Sequence, residues 1–381
     1  MIRLGFLGTG WIGRNRMQAM LASGEAIAAA ICDPDPQMAE QAKALAPLAL
    51  EPESFEAMLA LDLDGVVIAT PSALHADQCV QAFEAGAAVF CQKPLGRNAA
   101  EVRRVLDAAR SADRLLGVDL SYRHTAAMQA IRDHVRAGDL GKPFAVDLTF
   151  HNAYGPQSRW FWDPALSGGG CLIDLGVHLV DLALWLFDFP DVMDARATLL
   201  RDGRAVRSGE VEDYATAHLA LANGVDARIA CSWNLNAGAD AVIGATVYGT
   251  AAGAEMRNEN GSFFDFSAEL FKGRESVCIA SPPDDWGGRA AAEWVAKLAA
   301  GEGFGGSTEG LLQTATALDR LYAAGAKTSG GDDLVQRFSK PAARPGDGLI
   351  DAEDCAGPGQ VDAGGTQAAR EAKDRVAPTG D

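Results

Sequence analysis

The sequence predicts an α/β chain in two parts: a doubly wound N-terminal domain on a parallel sheet, residues 1–121, and an α+β domain with a large open, mainly antiparallel sheet, residues 122–335. Three observations predict it. Through the first 120 residues, short apolar stretches without polar alternation each precede a helical stretch, the pattern of strands covered on both faces by crossover helices. Beyond about residue 142, strand-like segments follow one another closely, as in hairpin-linked sheets. A glycine motif joins the first strand to the first helix.

In order, strands are expected at 2–7, 26–32, 66–69, 88–91 and 115–120, and helices at 11–22, 36–45, 54–61, 73–85 and 99–112. The second domain offers strands at 144–150, 195–201, 214–221, 225–233 and 241–249, with Asn223-Gly224 as a hairpin turn between two of them. Its helices are expected at 171–187, 288–300 and 308–324. Residues 341–381 are rich in Gly, Pro, Ala and acidic side chains and poor in large apolar ones, so a disordered acidic tail is expected there.

The 381 residues carry a formal charge of −18. That field opposes nucleic acid and anionic membrane surfaces as partners. Seven scattered cysteines include no C-x-x-C pair, which suits a reduced, cytoplasmic protein. The first apolar run turns at once into the glycine loop instead of a leader, and the most hydrophobic stretch, 171–187, contains Asp174, His178 and Asp181. Neither a secretory nor a membrane-spanning segment is expected.

Gly8-Thr9-Gly10-Trp11-Ile12-Gly13 follows a strand and opens a helix. The three glycines serve a tight turn, close approach of a pyrophosphate and helix–sheet packing, and the helix N-terminus attracts the phosphates. Asp33 ends the second strand, where a carboxylate accepts from ribose hydroxyls and repels a 2′-phosphate. Pro34-Asp35-Pro36 adds no arginine, so NAD is expected in preference to NADP. Two segments end further strands: Thr70-Pro71-Ser72, with His75 after it, and Gln92-Lys93-Pro94. The ammonium of Lys93 suits polarisation of a substrate hydroxyl, although a surface lysine in a turn fits the same position.

Ser167-Gly168-Gly169-Gly170 opens the helix expected at 171–187, on which Asp174 and His178 are four residues apart and share a face. Histidine takes up a hydroxyl proton near neutral pH. A core histidine satisfied by its neighbour shares this pattern; a metal site is not expected, since no further ligand pair accompanies these two. Residues 151–163 mix aromatic and hydrogen-bonding groups, among them Tyr154, Arg159 and Trp160. That mixture suits a polyol or sugar site, and aromatic packing under a loop explains it equally well.

These residues together resemble the Gfo/Idh/MocA oxidoreductases, over roughly residues 2–325. The resemblance rests on Gly8 to Gly13, Ala69-Thr70-Pro71-Ser72 with His75, Gln92-Lys93-Pro94, and Ser167 to Gly170 with Asp174, His178 and Asp181. It implies a Rossmann domain followed by a sheet domain that pairs subunits into dimers or tetramers. It also implies that Lys93, Asp174 and His178 are catalytic, the histidine as base, and that the lysine–proline peptide is often cis. The family motif usually has Glu where this chain has Gln92. The expected activity is NAD-dependent oxidation of a hydroxyl on a sugar, sugar acid or cyclitol, with redox-neutral glycoside cleavage or a non-enzymatic sensor as alternatives. Gly8, Gly10, Trp11, Ile12, Gly13, Asp33, Thr70, Pro71, His75, Gln92 and Lys93 are the cofactor candidates. Tyr122, Arg123, Tyr154, Arg159, Trp160, Asp174 and His178 are the substrate candidates.

Overall fold

The structure, a computed structural model, describes residues 1–308 and 310–328. The tail expected at 341–381 and the end of the second domain lie outside the described residues. The first part runs β1 (Ile2–Leu7), α1 (Trp11–Ala22), β2 (Ala26–Cys32), α2 (Pro36–Leu45), α3 (Phe55–Leu59), β3 (Gly65–Ile68), α4 (Ser72–Glu84), β4 (Ala88–Cys91), α5 (Ala99–Ala112) and β5 (Leu116–Val118). The strands form one parallel sheet in the order β2-β1-β3-β4-β5. Every residue of β3 and β4 is buried, which is why these strands show no alternation. Side chains of Asp35, Ser54 and Asn98 cap α2, α3 and α5; each satisfies N–H groups that the first helical turn leaves open. The order reverses between β1 and β3, the switch point at which ligands settle beyond the carboxyl ends of such sheets.

The second part contains α6 (Ala126–Ala137), β6 (Pro143–Asn152), α7 (Pro164–Ser167), α8 (Cys171–Asp174), α9 (Gly176–Trp185), β7 (Val192–Arg201), β8 (Arg204–Ala205), β9 (Tyr214–Leu221), β10 (Asp226–Ser232), β11 (Ala241–Gly249), β12 (Gly253–Asn258), β13 (Phe266–Lys272) and β14 (Glu275–Ala280). The sheet has nine strands in the order β14-β13-β12-β11-β6-β10-β9-β7-β8. Only the central pair β6 and β10 is parallel; the other neighbours are antiparallel. Alternate residues of β6, β9 and β11 are buried, so one face packs on α8 and α9 and the other lies open. Gly224, at φ +87°, makes the expected hairpin turn.

Three differences from the sequence reading have physical causes. Strands β12 to β14 and helix α6 were not anticipated: Gly253–Asn258 alternates over only six residues, and no residue of Glu275–Ala280 is buried, so neither stands out as a strand. The expected helix 171–187 breaks at Leu175, and the stretches Pro164–Asp174 and Gly176–Trp185 meet at 54°. The helix expected at 288–300 forms as α10 (Arg289–Ala299) but packs on the parallel sheet. Its Trp294 lies 5.7 Å from the Phe90 ring, and a Cβ on Gly65 or Gly117 would come within 2.7 Å and 2.6 Å of that indole. The last helix, α11 (Leu311–Thr328), lies against both sheets' cores, with Leu311 and Ala315 on one and Leu318 and Leu321 on the other.

Candidate active site

A cavity of about 410 Å³ opens where the carboxyl ends of β1, β3 and β4 face α8 and α9. Its floor is the glycine loop. Gly8 sits at φ +79°, and a Cβ there would be 2.6 Å from the carbonyl oxygen of Ala69. A Cβ on Gly13 would be 2.3 Å from the carbonyl oxygen of Gly8, whereas one on Gly10 meets nothing within 4 Å. Gly13 therefore seats the helix against the strand, and Gly10 leaves open the approach to the start of α1, where no side chain caps the N–H groups. The Asp33 carboxylate ties loop to strand: Oδ2 accepts from Thr9 N at 2.5 Å and Thr9 Oγ1 at 3.0 Å, and Oδ1 accepts from Asp35 N at 2.9 Å. An uncapped helix start, a glycine with open space and a carboxylate at the end of β2 fit a dinucleotide diphosphate and its ribose.

Across the cavity, Lys93 Nζ donates to Asp174 Oδ1 at 2.7 Å and to its backbone oxygen at 3.0 Å. The other carboxylate oxygen, Oδ2, accepts from Trp233 Nε1 at 3.1 Å. Asp174 is thus held from both sides and aims the ammonium into the cavity. The Lys93–Pro94 peptide is cis. His75, buried, joins the two strand-end loops, with Nδ1 2.7 Å from the Pro94 oxygen and Nε2 2.7 Å from the Thr70 oxygen. His178 lines the cavity from α9 and packs edge-on to Tyr122, ring centroids 4.9 Å apart. Its Nδ1 is buried and makes no hydrogen bond, so Nε2 is the nitrogen open to a substrate. Burial first, then the charges of Lys93 and Arg16, hold the imidazole well below its ordinary pKa of 6.5. At neutral pH the ring is neutral and able to accept a proton.

Residues 2–120 match the family described as "Oxidoreductase family, NAD-binding Rossmann fold", and residues 128–255 match the "GFO/IDH/MocA C-terminal domain". The chain belongs to the Gfo/Idh/MocA oxidoreductase family. It is 30% identical over 262 residues to an inositol 2-dehydrogenase of Rhizobium meliloti (strain 1021), covering 68% of this chain and 76% of the relative. It is 28% identical over 211 residues to a D-glucoside 3-dehydrogenase of Escherichia coli (strain K12), covering 52% of this chain and 60% of that one. The chain therefore spans about three-fifths of the length of the latter. Levoglucosan dehydrogenase, solved with NADH and levoglucosan, shares the fold with a TM-score of 0.74 at 20% identity, over 86% of this chain and 97% of that chain.

In this Gfo/Idh/MocA chain a buried carboxylate outside the cavity holds the helix that carries Asp174. Glu212 Oε1 accepts from Gly170 N and Leu172 N, each at 3.0 Å, and from Tyr322 Oη at 2.7 Å. It caps α8 from another segment and satisfies N–H groups that the break at Leu175 makes more exposed to loss. A Cβ on Gly170 would stand 1.8 Å from the Glu212 backbone oxygen, and one on Gly169 would stand 2.1 Å from Tyr322 Oη. Backbone cannot yield by that amount without displacing the cap. Gly170→Ala is expected to cost about 3 kcal/mol or more of stability. A thermal melt within a degree of the parent would show that the close approach is not there.

The cavity brings together Gly8, Gly10, Trp11, Ile12, Asp33, Thr70, Pro71, His75, Gln92, Lys93, Tyr154, Trp160, Asp174 and His178. Four expected residues stand elsewhere. Gly13 packs behind the loop. Tyr122 is buried under His178 among Phe150, Phe266 and Trp286, so it supports the ring and does not face a ligand. Arg123 is engaged by Asp181, with Nε donating to Oδ2 at 2.6 Å and Nη2 to Oδ1, while Thr314 Oγ1 donates to the same carboxylate. Arg159 is exposed and outside the lining. Neither arginine therefore adds open positive charge to the cavity. Missed by sequence reasoning were Arg16, Asp119 and Trp233, which also line the cavity, as does Asn152 from the 151–163 stretch. Asp119 follows β5, so the strand-end rule that singled out Asp33 also points to it.

Proposed function

We propose that the chain is an NAD-dependent dehydrogenase that oxidises a secondary or hemiacetal hydroxyl of an uncharged sugar or cyclitol. The observation that carries the reading is the convergence of Lys93, Asp174 and His178 on a cavity floored by the glycine loop. Gly8, Gly10, the start of α1 and Asp33 would hold the dinucleotide, which when bound supplies the hydride acceptor. Lys93 donates a hydrogen bond to the reacting hydroxyl oxygen and stabilises its alkoxide character. His178 Nε2 takes the hydroxyl proton. Asp174 holds Lys93 in place, and Trp160 and Phe161, stacked with ring centroids 3.8 Å apart, line the wall against which a sugar's C–H face packs. Both cations of the lining among the described residues are engaged: Lys93 by Asp174 and Arg16 by Asp119. A carboxylate or phosphate on the substrate would find no open charge there, which favours neutral substrates over sugar acids.

NAD reduction by the purified chain, followed against neutral aldoses, glycosides and inositols beside uronic acids, tests this reading. Turnover of neutral compounds with NAD over NADP is expected. Exclusive use of uronic acids would overturn the substrate class, and product from an aryl glycoside without NADH would overturn the net reaction. The open sheet face, with Val242 and Tyr248 exposed on β11, belongs to the same proposal as the seat of a second copy. A solution mass of one chain would remove that part. A reduced, cytoplasmic setting is proposed with it; the six cysteines among the described residues are all unpaired thiols.

A further inference from the structure

Behind Lys93 and His178 lies a buried polar triad that the proposed chemistry does not use. Asp119 Oδ2 accepts from Arg16 Nε at 2.6 Å and from Gln92 Nε2 at 2.8 Å. The three side chains come from α1, the end of β4 and the end of β5, and all three line the cavity. Their residues are 3%, 6% and 2% exposed for Arg16, Gln92 and Asp119. Backbone bonds lock the strand ends beneath them: Asp119 N donates to the Cys91 oxygen at 3.0 Å and Gln92 N to the Ile68 oxygen at 2.9 Å. A buried ion pair contributes little net stability compared with apolar packing, so its presence in the wall of a cavity calls for another account.

Charge bookkeeping supplies one. Lys93 is matched by Asp174, and Arg16 by Asp119, so this end of the cavity is neutral. Gln92 adds a donor and no charge. A carboxylate at 92 would set a second negative charge against Asp119, whereas the Gln92 amide donates a hydrogen bond to it. The oxidised nicotinamide ring is a cation and the reduced ring is neutral, so the net charge of the wall bears on one form and not the other.

We propose that Asp119 is a positioning residue that, through Arg16 and Gln92, keeps the wall behind Lys93 and His178 neutral and thereby sets the relative affinity for oxidised and reduced dinucleotide. The inference rests on the dehydrogenase reading above. Asp119→Asn leaves Arg16 unbalanced and opposes the cationic ring. Arg16→Gln leaves Asp119 unbalanced and favours it. The double variant is neutral again.

The test is titration of the full chain with NAD and with NADH, without substrate, reading the ratio of their dissociation constants. A unit charge about 12 Å from the ring, at an effective permittivity of about 20, changes such a ratio about tenfold, and a closer one changes it more. Asp119→Asn is expected to raise the ratio of the NAD to the NADH constant about tenfold, Arg16→Gln to lower it by a similar factor, and the double variant to return it to within about twofold of the parent. If Asp119→Asn does not fold, Arg16→Gln and the double variant carry the same comparison. Single variants that shift the ratio in the same direction, or not at all, while binding both dinucleotides would overturn the proposal. A parent chain that binds neither dinucleotide would overturn the dehydrogenase reading itself.

Discussion

Replacing Lys93 by methionine lowers kcat about 10³-fold while the affinity for NAD stays within a few-fold of the parent. The methionine keeps most of the side-chain volume and removes the ammonium that Asp174 holds at the cavity. Loss of one preorganised donor at a developing oxyanion costs about 10²- to 10³-fold elsewhere. Here the loss also leaves the Asp174 carboxylate, among the described residues, with only Trp233 as a side-chain partner, and an unbalanced negative charge beside a reacting alkoxide raises the barrier further. Binding is expected to survive because the diphosphate cradle belongs to β1 and α1. Stopped-flow or steady-state rates beside NAD titrations check both halves. A variant that loses NAD binding in proportion to rate would make Lys93 a cofactor residue and not a polarising one.

His178→Asn removes the proposed proton acceptor and is expected to lower kcat by about 10²- to 10⁴-fold. The parent's pH profile is the sharper measurement. Burial, Lys93 and Arg16 all disfavour the imidazolium, so the base is in its working form down to a pH well under 6.5. The acid limb of kcat/KM, which reports the free enzyme, therefore falls below the ordinary imidazole range and vanishes in the asparagine variant. An acid limb at or above 6.5 in the parent would mean that His178 is not the group whose titration limits the rate.

Much of this site was legible because its chemistry sits at the ends of strands. Gly8, Asp33, Thr70 and Lys93 each follow an apolar run, and any parallel sheet of this kind exposes such positions on one edge. What was not legible depends on approach between distant segments. Asp174 and His178 suggested one continuous helix face, yet the chain bends at Leu175, and a clamp supplied by Glu212 and Tyr322 holds the bend. Arg123 suggested a ligand contact from its place in the sequence, but Asp181, fifty-eight residues on, claims it. Arg16 and Asp119 are 103 residues apart and give no local pattern. Strand β12 alternates, but over too few residues to stand out, and β14 has no buried residue and hence no apolar face to betray it.

The packing of α10 on the parallel sheet governs the order in which the molecule is completed during synthesis. Chains of this size fold unit by unit as they emerge, but here the first 120 residues leave the ribosome without the helix that covers Leu4, Phe6, Val67 and Phe90. That apolar face stays wet until about residue 299 is made, and the intervening nine-stranded sheet must form or wait before α10 reaches it. A fragment ending near residue 120 would carry every glycine of the dinucleotide loop and still present an uncovered patch where Trp294 belongs. Nascent chains are thus exposed to aggregation for nearly half of their elongation, and the dinucleotide-binding half is released in finished form only with the sheet domain that follows it.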